Sequence, residues 1–375
     1  DRVVPHDGRR TLCKTLSPGM SNPMTDLRRA ILFSILLAAA IPAAAFDHPT
    51  TPWNPRTYAC LRTAAAPLID GILDDPVWLQ APWTDQFVDI EGQARPVAPR
   101  HQTRARLLWD DTALYIAAVL AEPHVWGTVT ERDGVIFADN DFEVFLDPDG
   151  DHHLYGELEI NALGTVWDLL LVRPYRDGGP AINGWDIDGL QSAVHVDGTL
   201  NDPGDTDQGW TVELAIPWAA LADLAGDRAC PPEPGDTWRL NLSRVQWEHR
   251  IEDGRYVKTP VAGRGWQGED NWVWSPQGLV AMHAPERWGF VTFVETEMAA
   301  VADPREALRP WYERLIQMYY AQRQHHEDTG HFAGRLPGIG GGVHIEHTTD
   351  TFTATLVDSA GTAWTVDQEG RLTSR

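Results

Sequence analysis

The chain has 375 residues, 43% of them hydrophobic, with 54 acidic against 30 basic side chains and a formal charge of −24. That apolar content is typical of a globular protein and excludes wholesale disorder, and the length suits one large domain or two ordinary ones. No concentrated run of Lys or Arg accompanies the charge, which argues against nucleic acid as a partner and leaves cations, neutral sugars or plain solubility.

In chain order, the first readable element is a processing segment. From Met24 the sequence "MTDLRRAILFSILLAAAIPAAAFDH" has a basic pair at Arg28 and Arg29, an apolar run from Ala30 and a small-residue end at Ala43 to Ala45. The run is shorter than the ~20 residues that span a bilayer, so residues 24–45 read as a signal peptide cut after Ala45. The expected product is exported to the periplasm or the extracellular space, with no membrane span in the mature chain. Residues 1–23 precede that methionine and read as translated upstream sequence. Cys13 is lost with the leader, leaving Cys60 and Cys230. In an oxidising compartment such a pair is a candidate disulfide, and its spacing is not that of a zinc site.

From Ala66 to about Phe293 short β-runs alternate with turn chemistry. "RARLLW" and "LYIAAVLAE" form a hairpin around "DDTA". In "DFEVFLD", Phe142, Val144 and Leu146 point one way, with Glu143 and Phe145 pointing the other. In "LYGELEINA", Leu158 and Ile160 oppose Glu157, Glu159 and Asn161. Further strands follow in "TVWDLLLV", "QSAVHV", "GWTVELAIPW", "TWRLNLSRVQWE" and "RWGFVTFV". A short helix is expected in "PWAALADLAG", opened by a proline and closed by Gly226. The pattern predicts a mainly β protein, an antiparallel β-sandwich over residues 46–299. Beyond it, Leu308, Trp311, Leu315, Met318 and Tyr319 fall at helical spacing, with Asp303 as cap and Pro310 as a candidate kink. "VHIEHTT", "TFTATLVD" and "TAWTVDQEG" then suggest a small sheet. Residues 300–375 therefore read as a C-terminal helix plus small sheet.

Chemistry concentrates in "VIFADNDFEVFLDPDGDHH", where six carboxylates, Asp139, Asp141, Glu143, Asp147, Asp149 and Asp151, bracket one strand that must bury a face. Like charges repel and desolvating them is costly, so they either face water or bind something. Asp147, Asp149 and Asp151 around Gly150 have a spacing that can chelate a hard cation such as calcium, although the distal glutamate of an EF-hand is missing. A turn rich in Asp and Gly is also an ordinary strand ending. Seventeen Trp residues supply far more flat faces than average, whether for core packing or for stacking on a ligand.

The ordered series "PLIDGILDDPVWLQAPW", "TRARLLWDDTALYIAAVL", "DNDFEVFLDPDG", "GWTVELAIPWAAL" and "WRLNLSRV" resembles the family 9 carbohydrate-binding modules and their stand-alone relatives, from about Pro67 to Phe293. The resemblance implies an immunoglobulin-like or jelly-roll β-sandwich, assistance from calcium, and a glycan or oligosaccharide as partner, held between aromatic rings. It places Glu143 on ligand hydroxyls, Phe137 near the first aromatic platform and Asn161 at the asparagine of the following strand. Where sugar-binding members carry an arginine, this chain has Glu159, an acceptor in place of a five-donor fork. Trp272 and Trp274, two apart with Asn271 beside them, are the candidates for the second half of the clamp.

Two further classes stay open. A glycan-active enzyme could draft Asp141, Glu143, Glu157 and Glu159, but no G-x-S-x-G, H-E-x-x-H or Walker loop is present. A haem-binding electron-transfer sandwich would need axial ligands, for which Met282 and His283 are the candidates. The pairs His152/His153 and His325/His326 read as surface histidines, since neighbours on a strand point apart. The expected function is an exported, non-catalytic carbohydrate-binding protein.

Overall fold

The computed structural model describes residues 46–296, 302–338 and 341–375. The signal-peptide segment, the upstream residues and Cys13 lie outside the described residues.

The sandwich is built from β1 (Thr57–Arg62), β2 (Thr103–Trp109), β3 (Ala113–Ala121), β4 (Asp141–Asp147), β5 (Tyr155–Asn161), β6 (Val166–Leu171), β7 (Gln191–Asp197), β8 (Gly209–Pro217), β9 (Thr237–Gln246), β10 (Asp270–Val273) and β11 (Gly289–Val294). One hydrogen-bonded path runs β6-β5-β4-β9-β11-β1-β2-β3-β8-β7, with β10 pairing β9 off the path. Nearly all pairs are antiparallel. At the junction β1 runs parallel to both β11 and β2, which lets the continuous sheet curl into two facing layers.

Alternation decides what fills the space between the layers. Phe142, Val144 and Leu146 of β4 and Leu158 and Ile160 of β5 meet Val212, Leu214 and Ile216 of β8 in one buried core, as the period-2 pattern predicts. The "IDG" segment is fastened to this frame by Glu213 of β8. Its carboxylate accepts the N–H groups of Asp70 (3.1 Å) and Gly71 (2.8 Å) and the Trp78 indole N–H (2.7 Å). Gly71 has φ +86°, and a Cβ there would lie 2.8 Å from the His195 main chain, so glycine is required. After β8 the chain makes the expected short helix at Trp218–Leu221.

The long helix α1 (Pro304–Thr329) starts as the sequence predicts, with the Asp303 side chain accepting from Arg305 N, and ends at Gly330 with φ +77°. It is continuous through Pro310, so the proline does not divide it. The proline removes one main-chain donor, whereas the helix buries Trp311, Tyr312, Leu315, Ile316, Met318 and Tyr319 on one side. These pack with Trp53 and Phe290 of the sandwich and with Phe352, Leu356, Val366 and Leu372 of the small sheet. That sheet has strands β12 (His344–His347), β13 (Phe352–Val357), β14 (Ala363–Asp367) and β15 (Leu372–Ser374), in that order. Its last strand escaped the sequence reading because it is only three residues long.

Two further expectations are corrected. Cys60 and Cys230 are free thiols. Cys60 is wholly buried on the inner face of β1, and the Cys230 thiol donates to the Trp218 carbonyl at 3.2 Å. His152 and His153 are buried, not surface groups. His152 Nε2 lies 2.8 Å from the Tyr312 hydroxyl and its Nδ1 3.0 Å from the Gly370 carbonyl, so this turn is bound to the C-terminal elements.

Candidate binding cavity

The face of β4 and β5 turned away from the core is acidic, because register sets acids side by side. Glu143 is opposite Glu159, Asp141 opposite Asn161, and Phe145 opposite Glu157. Above this row opens a cavity of about 540 Å³, lined among others by Phe137, Glu143, Glu157, Glu159, Trp167, Tyr175, Trp266, Glu269, Asn271, Met282 and His283. The volume is in the range of small-molecule sites.

Its aromatic walls come from four segments. Trp167 lies opposite Glu159 on β6 and stacks with Phe137, centroids 6.4 Å apart at 23°. Phe137 sits in a short 3-10 turn, where its N–H donates to Glu159 Oε2 (2.9 Å) and its carbonyl accepts the Trp247 indole N–H (2.9 Å). Trp266 stands on a loop, 83% exposed. The main-chain N–H groups of Trp266 and Gln267 each donate to Glu269 at 2.7 Å, fixing the loop below the ring. Tyr175 meets His283 edge-on at 4.6 Å.

The polar floor is electrostatically loaded. Burial pushes the Glu143 carboxyl up to about 7. Burial and the neighbouring acids hold Asp141, Glu157 and Glu159 well above the carboxylate range. His283, half-buried and near Arg176, is pushed down to about 3 by desolvation and by that charge and so stays neutral, with Nδ1 3.0 Å from the Tyr155 hydroxyl. Met282 and His283 both line the cavity, as the haem alternative requires, but that Tyr155 contact occupies one ring nitrogen.

Of the residues singled out from sequence, Phe137, Glu143, Glu159 and Asn271 converge on the cavity. Three do not. Asn161 is wholly buried with its amide spent inside the fold: Nδ2 donates to the Val129 carbonyl and Asp139, and Oδ1 accepts from Leu163 and Thr165 N–H. Trp272 and Trp274 do share a face, but it is the inner one, where both join the main core. The alternation that turns Asn271 toward the cavity sends its neighbours inward. The indole rings that border the cavity are instead those of Trp167 and Trp266. For Trp167 a signal existed, since it alternates in phase with Leu169 and Leu171 on β6. For Trp266, in a Gly-rich loop, no periodicity could have shown it.

Asp147, Asp149 and Asp151 lie roughly 20 Å away along β4 from Asp141, by the rise of a strand. Each offers a carboxylate oxygen, all within 4.8 Å of one another. Asp147 is buried and accepts the N–H of Gly150 (3.0 Å) and of His152 (3.1 Å). Burial, then Asp149 and Asp151, hold it well above its ordinary value, while Arg371 reaches Asp151 at 2.8 Å. Hard oxygens at this spacing fit a calcium-class ion.

Residues 69–171 are similar to the family model described as carbohydrate family 9 binding domain-like. Among solved structures, a candidate carbohydrate-binding protein from Bacteroides uniformis ATCC 8492 shares 17% identity, covering 64% of this chain and 100% of its own, with a TM-score of 0.45. A family 9 carbohydrate-binding module from Caldicellulosiruptor kristjanssonii in complex with glucose shares 14% identity over 65% of this chain and 99% of its own, TM-score 0.40. A structure of such a module from that organism with cellotriose gives 16%, 66%, 97% and 0.37. No curated protein matches the sequence.

Proposed function

We propose that the cavity over β4 and β5 binds a sugar ring of a glycan, without catalysis, in a protein exported after removal of residues 24–45. One observation carries the reading: rings from Phe137, Trp167 and Trp266 and acceptors from Glu143, Glu159 and Asn271 border one open space of about 540 Å³. A sugar presents apolar C–H faces edged by hydroxyl donors, and this lining offers a partner to each. The family 9-like match over 69–171 supports it, since β4 and β5 lie within that segment. Calcium at Asp147, Asp149 and Asp151 would tie the strand-end turn down at a distance from the sugar.

The test is titration of mono- and oligosaccharides, followed by tryptophan fluorescence and calorimetry. Trp266→Ala and Trp167→Ala are each expected to weaken binding by about tenfold, the value of one stacked ring. No saturable binding to any saccharide, or binding indifferent to both substitutions, overturns the reading. A second reading has its own observation: Glu143, held at about 7, has the protonation of a general acid beside other carboxylates. Release of reducing sugar that disappears in Glu143→Gln would establish it in place of simple binding.

A further inference from the structure

We propose that Asp141, Glu143 and Glu159 form a second site, for a divalent cation of the calcium class, at the floor of the cavity. Each of the three residues offers an oxygen, and these lie within 4.8 Å of one another. One ion with oxygens at about 2.3–2.6 Å bridges that span. All three side chains are buried, Asp141 at 0%, Glu159 at 2% and Glu143 at 3% exposure.

Two oxygens are left over in this arrangement. Asp141 Oδ2 and Glu143 Oε2 are buried with no hydrogen-bond partner. An acceptor in that state forfeits its hydration with nothing in return, so natural structures rarely leave one without an ion or water beside it. Two other oxygens are anchored: Asp141 Oδ1 accepts the Val245 N–H at 3.1 Å and Glu159 Oε2 that of Phe137 at 2.9 Å. Asp141 and Glu159 are thus oriented from behind, and Asp141 and Glu143 each keep an oxygen without a partner. Among the described residues no Lys or Arg pairs with any of the three, and the buried Arg244 on β9 is committed to Glu122 at 2.7 Å. A hard cation supplies the missing positive charge, and Glu143 and Glu159 border the cavity, so its remaining coordination positions face that space.

The site stands whether or not the cavity takes a sugar, so the probe is calcium alone. The full chain, stripped by chelator and kept in mildly alkaline buffer, is titrated with calcium chloride by calorimetry, as wild type and in a D149N/D151N background that disables the strand-end turn. E159Q is expected to remove one equivalent of bound calcium in either background, with affinity falling more than about a hundredfold, beyond what loss of an outer-sphere contact costs. Circular dichroism checks the fold of each variant. Should E159Q fail to fold, E143Q carries the same comparison, since among the described residues the Glu143 carboxylate accepts no main-chain hydrogen bond and its Oε2 has no partner. Unchanged calcium stoichiometry in the folded variant, or no calcium bound by the wild type, overturns the proposal and leaves protons as what neutralises the cluster.

Discussion

Glu286 joins three parts of the molecule through one side chain and its carbonyl. The carboxylate takes Arg176 Nη2 at 2.7 Å and the Tyr320 hydroxyl of α1, and the carbonyl accepts from Trp53 Nε1 and the Tyr312 hydroxyl. Burial alone would raise its pKa, but the Arg176 charge and hydrogen bond outweigh it and hold the group at about 2, below its ordinary 4.5. As pH falls the unfolded chain takes this proton first, so the stabilisation is present above 4.5 and is lost as pH falls through about 2. Denaturant midpoints measured down that range should show Glu286 contributing roughly 3 kcal/mol of acid destabilisation, and Glu286→Gln should flatten the slope. An equally steep slope in the variant would assign the acid sensitivity elsewhere. Glu159 shows the opposite use of a buried acid: it pins Phe137 through a main-chain hydrogen bond, and among the described residues no Lys or Arg lines the cavity beside it.

Secondary-structure elements matter here for which face they present. Strand β4 gives its apolar side to the core and its acidic side to the cavity, and strand β10 does the same with Trp272 against Asn271. Helix α1 buries one side between the sandwich and the small sheet, with Trp311 stacked on Trp364 at 3.9 Å and 14°. Leu315, wholly buried at the middle of that contact, is where the helix reports its worth. Leu315→Ala is expected to destabilise by about 3 kcal/mol, the transfer term plus the cavity left behind, read from urea unfolding. An exposed control, Glu327→Ala, should change stability by less than about 0.5 kcal/mol. A Leu315 variant as stable as the control would mean that the helix contributes no core.

For the molecule as a whole, the leader and the acidity make a joint prediction. N-terminal sequencing of protein recovered from the periplasm or medium of an expressing bacterium is expected to begin at Phe46; retention inside the cell with residues 24–45 intact would refute export. The local pattern in the sequence was sufficient for the mainly β fold, the two faces of β4 and β5, the capped helix α1 and most of the small sheet, because periodicity, capping and turn chemistry act between near neighbours. The resemblance to family 9 modules pointed to Phe137, Glu143, Glu159 and Asn161, and Asn271 was marked beside Trp272 and Trp274; of these, Phe137, Glu143, Glu159 and Asn271 border the cavity. Which side of β10 is inside, and so the removal of Trp272 and Trp274 from the site, was settled only by the packing of the two layers: alternation fixes relative sides and never says which side meets the core. The same holds for Trp266 at the rim, for His152 locked against Tyr312, and for two cysteines that stay thiols. Each of these depends on segments far apart in the chain being brought together, and placement of that kind leaves no periodic trace in sequence.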